Sequence, residues 1–82
     1  MKKRKFVVYI LRTVGDTLYT GQTNNLERRL EEHRKKKGAK YVRNFENFEL
    51  VYVERYKTRA EAMKREAEIK KWPKKRKEKL VG

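Results

Sequence analysis

The chain has 82 residues, with 25 Lys and Arg against 11 Asp and Glu, which gives a formal net charge of +14. It has no cysteine, so a disulfide framework and a thiolate metal site are both excluded. No apolar run reaches the ~18 residues of a membrane-spanning helix, and the length predicts one domain (1–82) with the cytoplasm as the expected compartment.

The first half of the chain predicts a β-hairpin followed by a helix. Residues Phe6–Leu11 alternate aromatic and β-branched side chains, and turn-forming residues separate them from a second strand over Thr17–Gly21. Asn24 is a suitable N-cap for the helix, because Glu27 stands three residues later, where a capping-box acid belongs. We expect this helix to run to about Lys36, where a glycine soon ends it.

The second half predicts one more strand and two helices. Phe48–Tyr56 alternates as a third strand does, and Thr58 with Glu61 forms a capping box that opens a helix to about Lys71. Pro73 ends that helix, and a short basic helix follows. The predicted fold class is α/β (α+β): a small three-stranded antiparallel sheet flanked by helices, in the order β-β-α-β-α with a short basic C-terminal helix.

The excess of positive charge predicts a polyanionic partner, and nucleic acid is the favoured one. An acidic membrane surface is the main rival, but no predicted helix pairs a basic face with a broad apolar one. The plain alternative is that a Lys-rich surface keeps the protein soluble.

Polar residues occupy apolar positions of the first helix. Leu26 and Leu30 mark the stripe that faces the core, and Arg29 and His33 continue that stripe one turn apart. One interpretation makes them functional. The other puts them at the edge of the stripe, with the Arg29 stem covering apolar surface.

The second predicted helix carries an acid near the middle of its apolar half. Glu66 lies there, one turn before Lys70, on a half that also holds Ala60, Ala62, Met63, Ala67 and Ile69. A carboxylate facing a core is costly unless it is paired, metal-bound or functional. A Glu66–Lys70 ion pair is one explanation. The other is a Mg²⁺ ligand, since a lone acid in a basic cleft suits a metal ion that meets phosphate there.

Two tyrosines sit inside the first two strands. Tyr9 and Tyr19 each belong either to the core or to a cleft into which the hydroxyl points, because a buried phenol needs a polar partner. The register of the hairpin cannot be read from the sequence, so whether the two tyrosines face each other stays open.

These residues together resemble the GIY-YIG nuclease superfamily, most of all its small standalone bacterial members. The likeness covers nearly the whole chain, and the order and spacing of the motifs make it specific. The motifs are Val7-Val8-Tyr9, Tyr19-Thr20-Gly21, a helix with Arg29 and His33 four residues apart, and Ala62-Met63-Lys64-Arg65-Glu66.

The resemblance implies a divalent-metal-dependent endonuclease that hydrolyses phosphodiester bonds in DNA, in repair or recombination. Tyr9 and His33 would help to deprotonate the attacking water, although Tyr9 needs the field of Arg29 or of the metal to act as a base near neutral pH. Arg29 would bind the phosphate and Tyr19 would orient water or phosphate. Glu66 would hold one Mg²⁺ or Mn²⁺ ion.

The expected partner is DNA, with branched or single-stranded forms as candidate substrates, RNA as an open alternative and no membrane. Phosphate contacts and base stacking are expected from Lys37, Lys40, Tyr41, Arg43 and Lys70. Trp72 is better explained as packing against the end of its helix. Residues 67–82 contain no Asn, whereas many larger members carry one after the Glu helix. Two alternatives therefore stay open: a binding module with a degenerate site, and a domain that acts only with a partner protein.

Overall fold

The computed structural model describes residues 4–13, 15–35 and 48–82. These ranges form an antiparallel sheet with strand order β2-β1-β3 and three helices. In chain order the elements are β1 Phe6–Arg12, β2 Leu18–Thr23, α1 Leu26–Lys35, β3 Glu49–Tyr56, α2 Arg59–Lys70 and α3 Lys74–Val81. The predicted fold class is confirmed, including the C-terminal helix. Over the described ranges, no helix combines the length and the apolar character needed to cross a membrane.

Strand β1 lies at the centre of the molecule because it pairs with a strand on each side and is covered on both faces. Val8 and Ile10 point to one face, where α2 and α3 pack against them. Val7, Tyr9 and Leu11 point to the opposite face, where α1 packs. The period-2 alternation of a strand therefore divides one short apolar run between two cores.

The helix starts follow capping chemistry, with one correction. Asn25, and not Asn24, caps α1: its side-chain oxygen accepts from the backbone N–H of Arg28 at 3.1 Å. The Asn25 N–H in turn donates to the Thr23 hydroxyl at 3.1 Å. The N-cap therefore lies one residue later than the sequence predicts. The capping box of α2 is confirmed, since Thr58 and Glu61 exchange backbone–side-chain hydrogen bonds at 3.2 Å. The predicted end of α1 at Lys36 lies outside the described residues.

Helix α2 buries a narrower stripe than the sequence predicts. Of the five apolar residues assigned to its inner half, Ala62 and Ile69 are buried, while Met63 is 47 % exposed. A helix lying on a small sheet buries one stripe, and at about 100° per residue the stripe through Ala62, Glu66 and Ile69 leaves Met63 at its side. Arg65, assigned to the outer half, is half-buried instead.

A hydrogen-bonded network fastens α2 to β3. The guanidinium of Arg65 donates to both carboxylate oxygens of Glu54, each at 3.0 Å. The hydroxyls of Tyr52 and Tyr56 donate to the same carboxylate. Burial by itself would raise the pKa of Glu54, but the hydrogen bonds from Arg65 and the two tyrosines outweigh it and bring the pKa below its usual value.

Helix α3 is held against the other end of the sheet by a second ion pair. Arg12, at the end of β1, donates to the two carboxylate oxygens of Glu78 at 2.9 and 2.8 Å. Trp72, between α2 and α3, packs on the core, and the Arg76 guanidinium lies 4.0 Å from the centre of its indole ring. This agrees with the packing role expected for Trp72.

Candidate active site

The centre of the site is the hydroxyl of Tyr9, whose ring is fully buried in the middle of β1. That hydroxyl lies 3.3 Å from Nε2 of His33 on α1. The Arg29 guanidinium, one helical turn earlier, lies close enough to lower the pKa of the Tyr9 hydroxyl, against the larger effect of burial. The central strand and the first helix thus bring three of the five predicted residues together.

Arg29 lies at the edge of the α1 stripe, as one of its two interpretations expects. Its side chain is 45 % exposed, as expected at the edge of the stripe, and pairs loosely with Glu32 at 3.4 Å. The same side chain still reaches Tyr9. The side chain of Arg29 is therefore open to solvent on one side and near the buried Tyr9 on the other.

Tyr19 completes an aromatic wall around the imidazole. Its ring centre lies 6.4 Å from that of Tyr9 and 5.6 Å from that of His33, which it meets edge-on. Phe48, just before β3, meets His33 from another direction at 6.0 Å. Close ring packing limits the rotation of the imidazole and so keeps Nε2 near the phenol.

Gly21 makes room for the Tyr9 hydroxyl, a role that the sequence argument missed. The two residues are paired across β1 and β2. A Cβ atom at position 21 would lie 2.6 Å from the Tyr9 oxygen. The only signal in the sequence was the glycine that ends Tyr19-Thr20-Gly21, and without the register nothing linked it to Tyr9.

Glu66 lies on α2, whose buried residues pack on the face of the sheet opposite to Tyr9. Its carboxylate is 21 % exposed and lies 3.3 Å from Nζ of Lys70, so the ion pair considered as an explanation is present. Its negative charge is also among the influences that raise the pKa of Tyr9, although it is the smallest of them. The structure therefore puts Glu66 within electrostatic range of Tyr9 while pairing it with Lys70.

The pKa of Tyr9 differs from what the sequence argument required. Burial raises it above the usual value, and the hydrogen bond from Arg29 lowers it by less than burial raises it. Arg29 by itself therefore does not make Tyr9 a base near neutral pH. In the folded protein Tyr9 is a phenol that donates or accepts a hydrogen bond.

Glu66 offers one carboxylate to a divalent ion. Within residues 4–13, 15–35 and 48–82, no group of three or more His, Cys, Asp or Glu side chains is able to hold a metal. Mg²⁺ commonly binds through one or two carboxylates together with substrate phosphates and water. A partly exposed carboxylate next to cations that attract phosphate provides the protein's share of such a site.

The predicted nucleic-acid contacts are only partly placed. Lys37, Lys40, Tyr41 and Arg43 lie outside the described residues. Lys70 is 55 % exposed on α2, beside Glu66. Lys70 is therefore accessible to a substrate, and its positive charge already balances the negative charge of Glu66.

Comparison with known families decides the assignment. The model of the GIY-YIG catalytic domain matches residues 5–79. The chain belongs to this nuclease family. The resemblance drawn from the motifs is thus confirmed for the GIY-YIG domain as a whole.

Relatives of this GIY-YIG domain carry the name UPF0213. A UPF0213 protein of Natronomonas pharaonis is 49 % identical over 75 residues, which cover 92 % of this chain and 88 % of the relative. A UPF0213 protein of Oceanobacillus iheyensis is 50 % identical over 74 residues, 90 % of this chain and 86 % of the relative.

Two solved structures share the fold of this GIY-YIG domain. The solution NMR structure of a UPF0213 protein from Bacillus halodurans is 39 % identical, with a TM-score of 0.62, and covers 93 % of this chain and 81 % of its own. The solution NMR structure of a protein from E. faecalis is 36 % identical, with a TM-score of 0.68, and covers 99 % of this chain and 88 % of its own.

Proposed function

We propose that this GIY-YIG domain is a divalent-metal-dependent endonuclease that hydrolyses phosphodiester bonds in DNA, with structure-selective or weakly sequence-selective cleavage in repair or recombination. The observation that carries the proposal is the contact of the buried Tyr9 hydroxyl with His33 Nε2 at 3.3 Å, beside the Arg29 guanidinium. A nucleophilic water needs a proton acceptor, and the phosphate that it attacks needs a cation near by.

In the proposed reaction His33 accepts the proton and Tyr9 directs it. An imidazole has an unperturbed pKa of ~6.5, so it is a better base at neutral pH than a phenol whose pKa is raised. The Tyr9 oxygen accepts a hydrogen bond from the attacking water, while its O–H donates to His33. The proton of the water then passes to the imidazole through this relay.

The other three residues of the proposed site bind or orient the phosphate, the water and the metal ion. Arg29 offers its planar guanidinium to the non-bridging phosphate oxygens, where negative charge develops. Tyr19 orients the water or the phosphate. Glu66 provides the carboxylate for one Mg²⁺ or Mn²⁺ ion, which supplies Lewis-acid stabilisation of the leaving oxygen when bound.

The first test removes the acid. Glu66→Gln should lower Mg²⁺-dependent cleavage of branched and supercoiled DNA by more than ~10²-fold, and a chelator should abolish cleavage by the unmodified protein. The matched control is Glu68→Gln on the same helix, an exposed carboxylate that pairs with Arg65. Equal cleavage by the two variants would refute the role of Glu66.

Removing a single hydroxyl in the same cleavage assay tests the proton relay. Tyr9→Phe should lower kcat by ~10²–10⁴-fold, the usual range for general acid–base catalysis. Tyr52→Phe removes a hydroxyl on the opposite face of the sheet, at Glu54, and should leave kcat unchanged. If both variants cleave at the wild-type rate, Tyr9 has no part in the reaction.

The Glu66–Lys70 ion pair favours a second candidate, a nucleic-acid-binding module whose nuclease site is degenerate. In that case the acid serves the structure and no metal reaches it. The wild-type protein would then bind DNA in a salt-sensitive way and cleave none of the substrates, with or without Mg²⁺ or Mn²⁺.

A further inference from the structure

A surface pocket adjoins the site at the end of the sheet that lies away from the β1–β2 turn. It has a volume of about 240 Å³. Its walls come from the start of β1, the end of β2, and the beginnings of α1 and α2: Phe6, Gln22, Thr23, Asn24, Arg29 and Arg59. None of these residues is acidic, and two are arginines.

The pocket shares a wall with the proposed hydrolytic centre. Arg29 lines the pocket and lies one helical turn before His33, which contacts the Tyr9 hydroxyl at 3.3 Å. A group in the pocket therefore lies on the other side of Arg29 from the bond that the water activated by Tyr9 and His33 would attack. If a backbone phosphate of the substrate occupies the pocket, the next phosphate along the nucleic acid chain is the scissile one.

The wall chemistry selects an anion with several oxygen acceptors. Arg29 and Arg59 each present a fork of N–H donors that matches a phosphate, and the side-chain amides of Gln22 and Asn24 add neutral donors. Glu32, which pairs with Arg29 at 3.4 Å, is not part of the wall. That exposed pair is weak and gives way to a phosphate at little cost.

We propose that this pocket binds the DNA backbone phosphate adjacent to the scissile one, with Arg59 as its principal binding residue. The inference rests on the proposed function and names the path of the substrate: the backbone leaves the hydrolytic centre past Arg29 and crosses the first turn of α2. Arg59 is a binding residue in this arrangement and takes no part in the chemical step.

The decisive experiment measures binding without cleavage, so that it stands apart from the hydrolysis proposal. Pentathymidylate is titrated into the labelled protein without divalent metal, and the Nε–H signal of Arg59 and the side-chain amide signal of Gln22 are followed by NMR. Both signals should shift with one dissociation constant. Shifts confined to residues near the β1–β2 turn would overturn the proposal.

Two variants on one helix measure the contribution of Arg59. Arg59→Ala should weaken pentathymidylate binding by up to about tenfold, equivalent to about 1.4 kcal/mol, and should reduce the salt slope by ~0.7. Lys64→Ala removes the same charge from an exposed position of α2 outside the pocket, and should change both by much less. Equal effects of the two variants would show unspecific charge attraction and overturn the site.

Arg59→Lys separates geometry from charge. It should keep most of the salt slope and lose part of the affinity, since an ammonium replaces the charge but not the fork.

In the cleavage assay Arg59→Ala should raise KM without lowering kcat. If the wild-type protein cleaves no DNA but the NMR shifts appear, the pocket stands and the hydrolysis proposal fails. If it cleaves and Arg59→Ala leaves KM unchanged, the pocket proposal fails alone.

Discussion

The two faces of the sheet hold polar side chains in opposite ways. Toward α2, Glu54 is 17 % exposed and accepts hydrogen bonds from Arg65, Tyr52 and Tyr56, with both carboxylate oxygens occupied. Toward α1, Tyr9 contacts His33 at 3.3 Å, longer than the ~2.9 Å of a typical hydrogen bond to nitrogen. Arg29 beside it stays partly exposed.

The difference is the one expected between a structural network and the ligand site that we propose. A carboxylate whose hydrogen bonds are all made within the chain stabilises the packing of α2 on β3, and water or substrate has little to add. A long contact beside a partly exposed cation tightens only when a substrate supplies its own oxygens. Substitutions on both faces test this contrast, from the largest expected effect to the smallest.

Glu54→Ala should destabilise the protein by about 3 kcal/mol, because it leaves a half-buried guanidinium and two hydroxyls without their shared acceptor. Urea unfolding measures the loss, and kcat of the folded protein should not change. Arg29→Ala is the opposite control: stability should stay within ~0.5 kcal/mol, while cleavage should fall by ~10²–10³-fold. The contrast between the faces would be wrong if Glu54→Ala abolished cleavage at full stability.

Gly21→Ala should lower both the stability of the protein and its kcat. The added Cβ would lie 2.6 Å from the Tyr9 oxygen, so the phenol must shift from its position beside His33. We expect a loss of ~1–3 kcal/mol from overpacking and a fall in kcat. Gly15→Ala is the matched control, because its Cβ would make an ordinary 3.8 Å contact with Thr17 Oγ1. A normal kcat for Gly21→Ala would show that the position of Tyr9 is not critical.

Thr20→Val should stabilise the protein by about 1 kcal/mol. Thr20 pairs with Ile10 on the face of the sheet that α2 covers, and its buried Oγ1 has no hydrogen-bond partner among the described residues. Thermal or urea unfolding detects the gain, and cleavage should not change. Thr17→Val, at an exposed position of the turn, should have an effect within ~0.5 kcal/mol. A loss of stability on Thr20→Val would reveal a bond that the hydroxyl makes.

Local patterns were sufficient for the elements and for the choice of candidate residues. The alternation over Phe6–Leu11 predicts β1, and the Thr58–Glu61 capping box predicts the start of α2, because both depend on residues a few positions apart. The spacing of Arg29 and His33 placed them on one side of α1 for the same reason. The motif resemblance then named the family, which the family comparison confirms.

Only the tertiary structure decided which of these groups meet. The β1–β2 register sets Gly21 against Tyr9, and the angle at which α2 lies on the sheet turns Arg65 inward to Glu54 and leaves Met63 outside. Such contacts join residues that are far apart in the chain. They follow from how the sheet and helices pack as whole bodies, which the periodicity of a single segment does not specify.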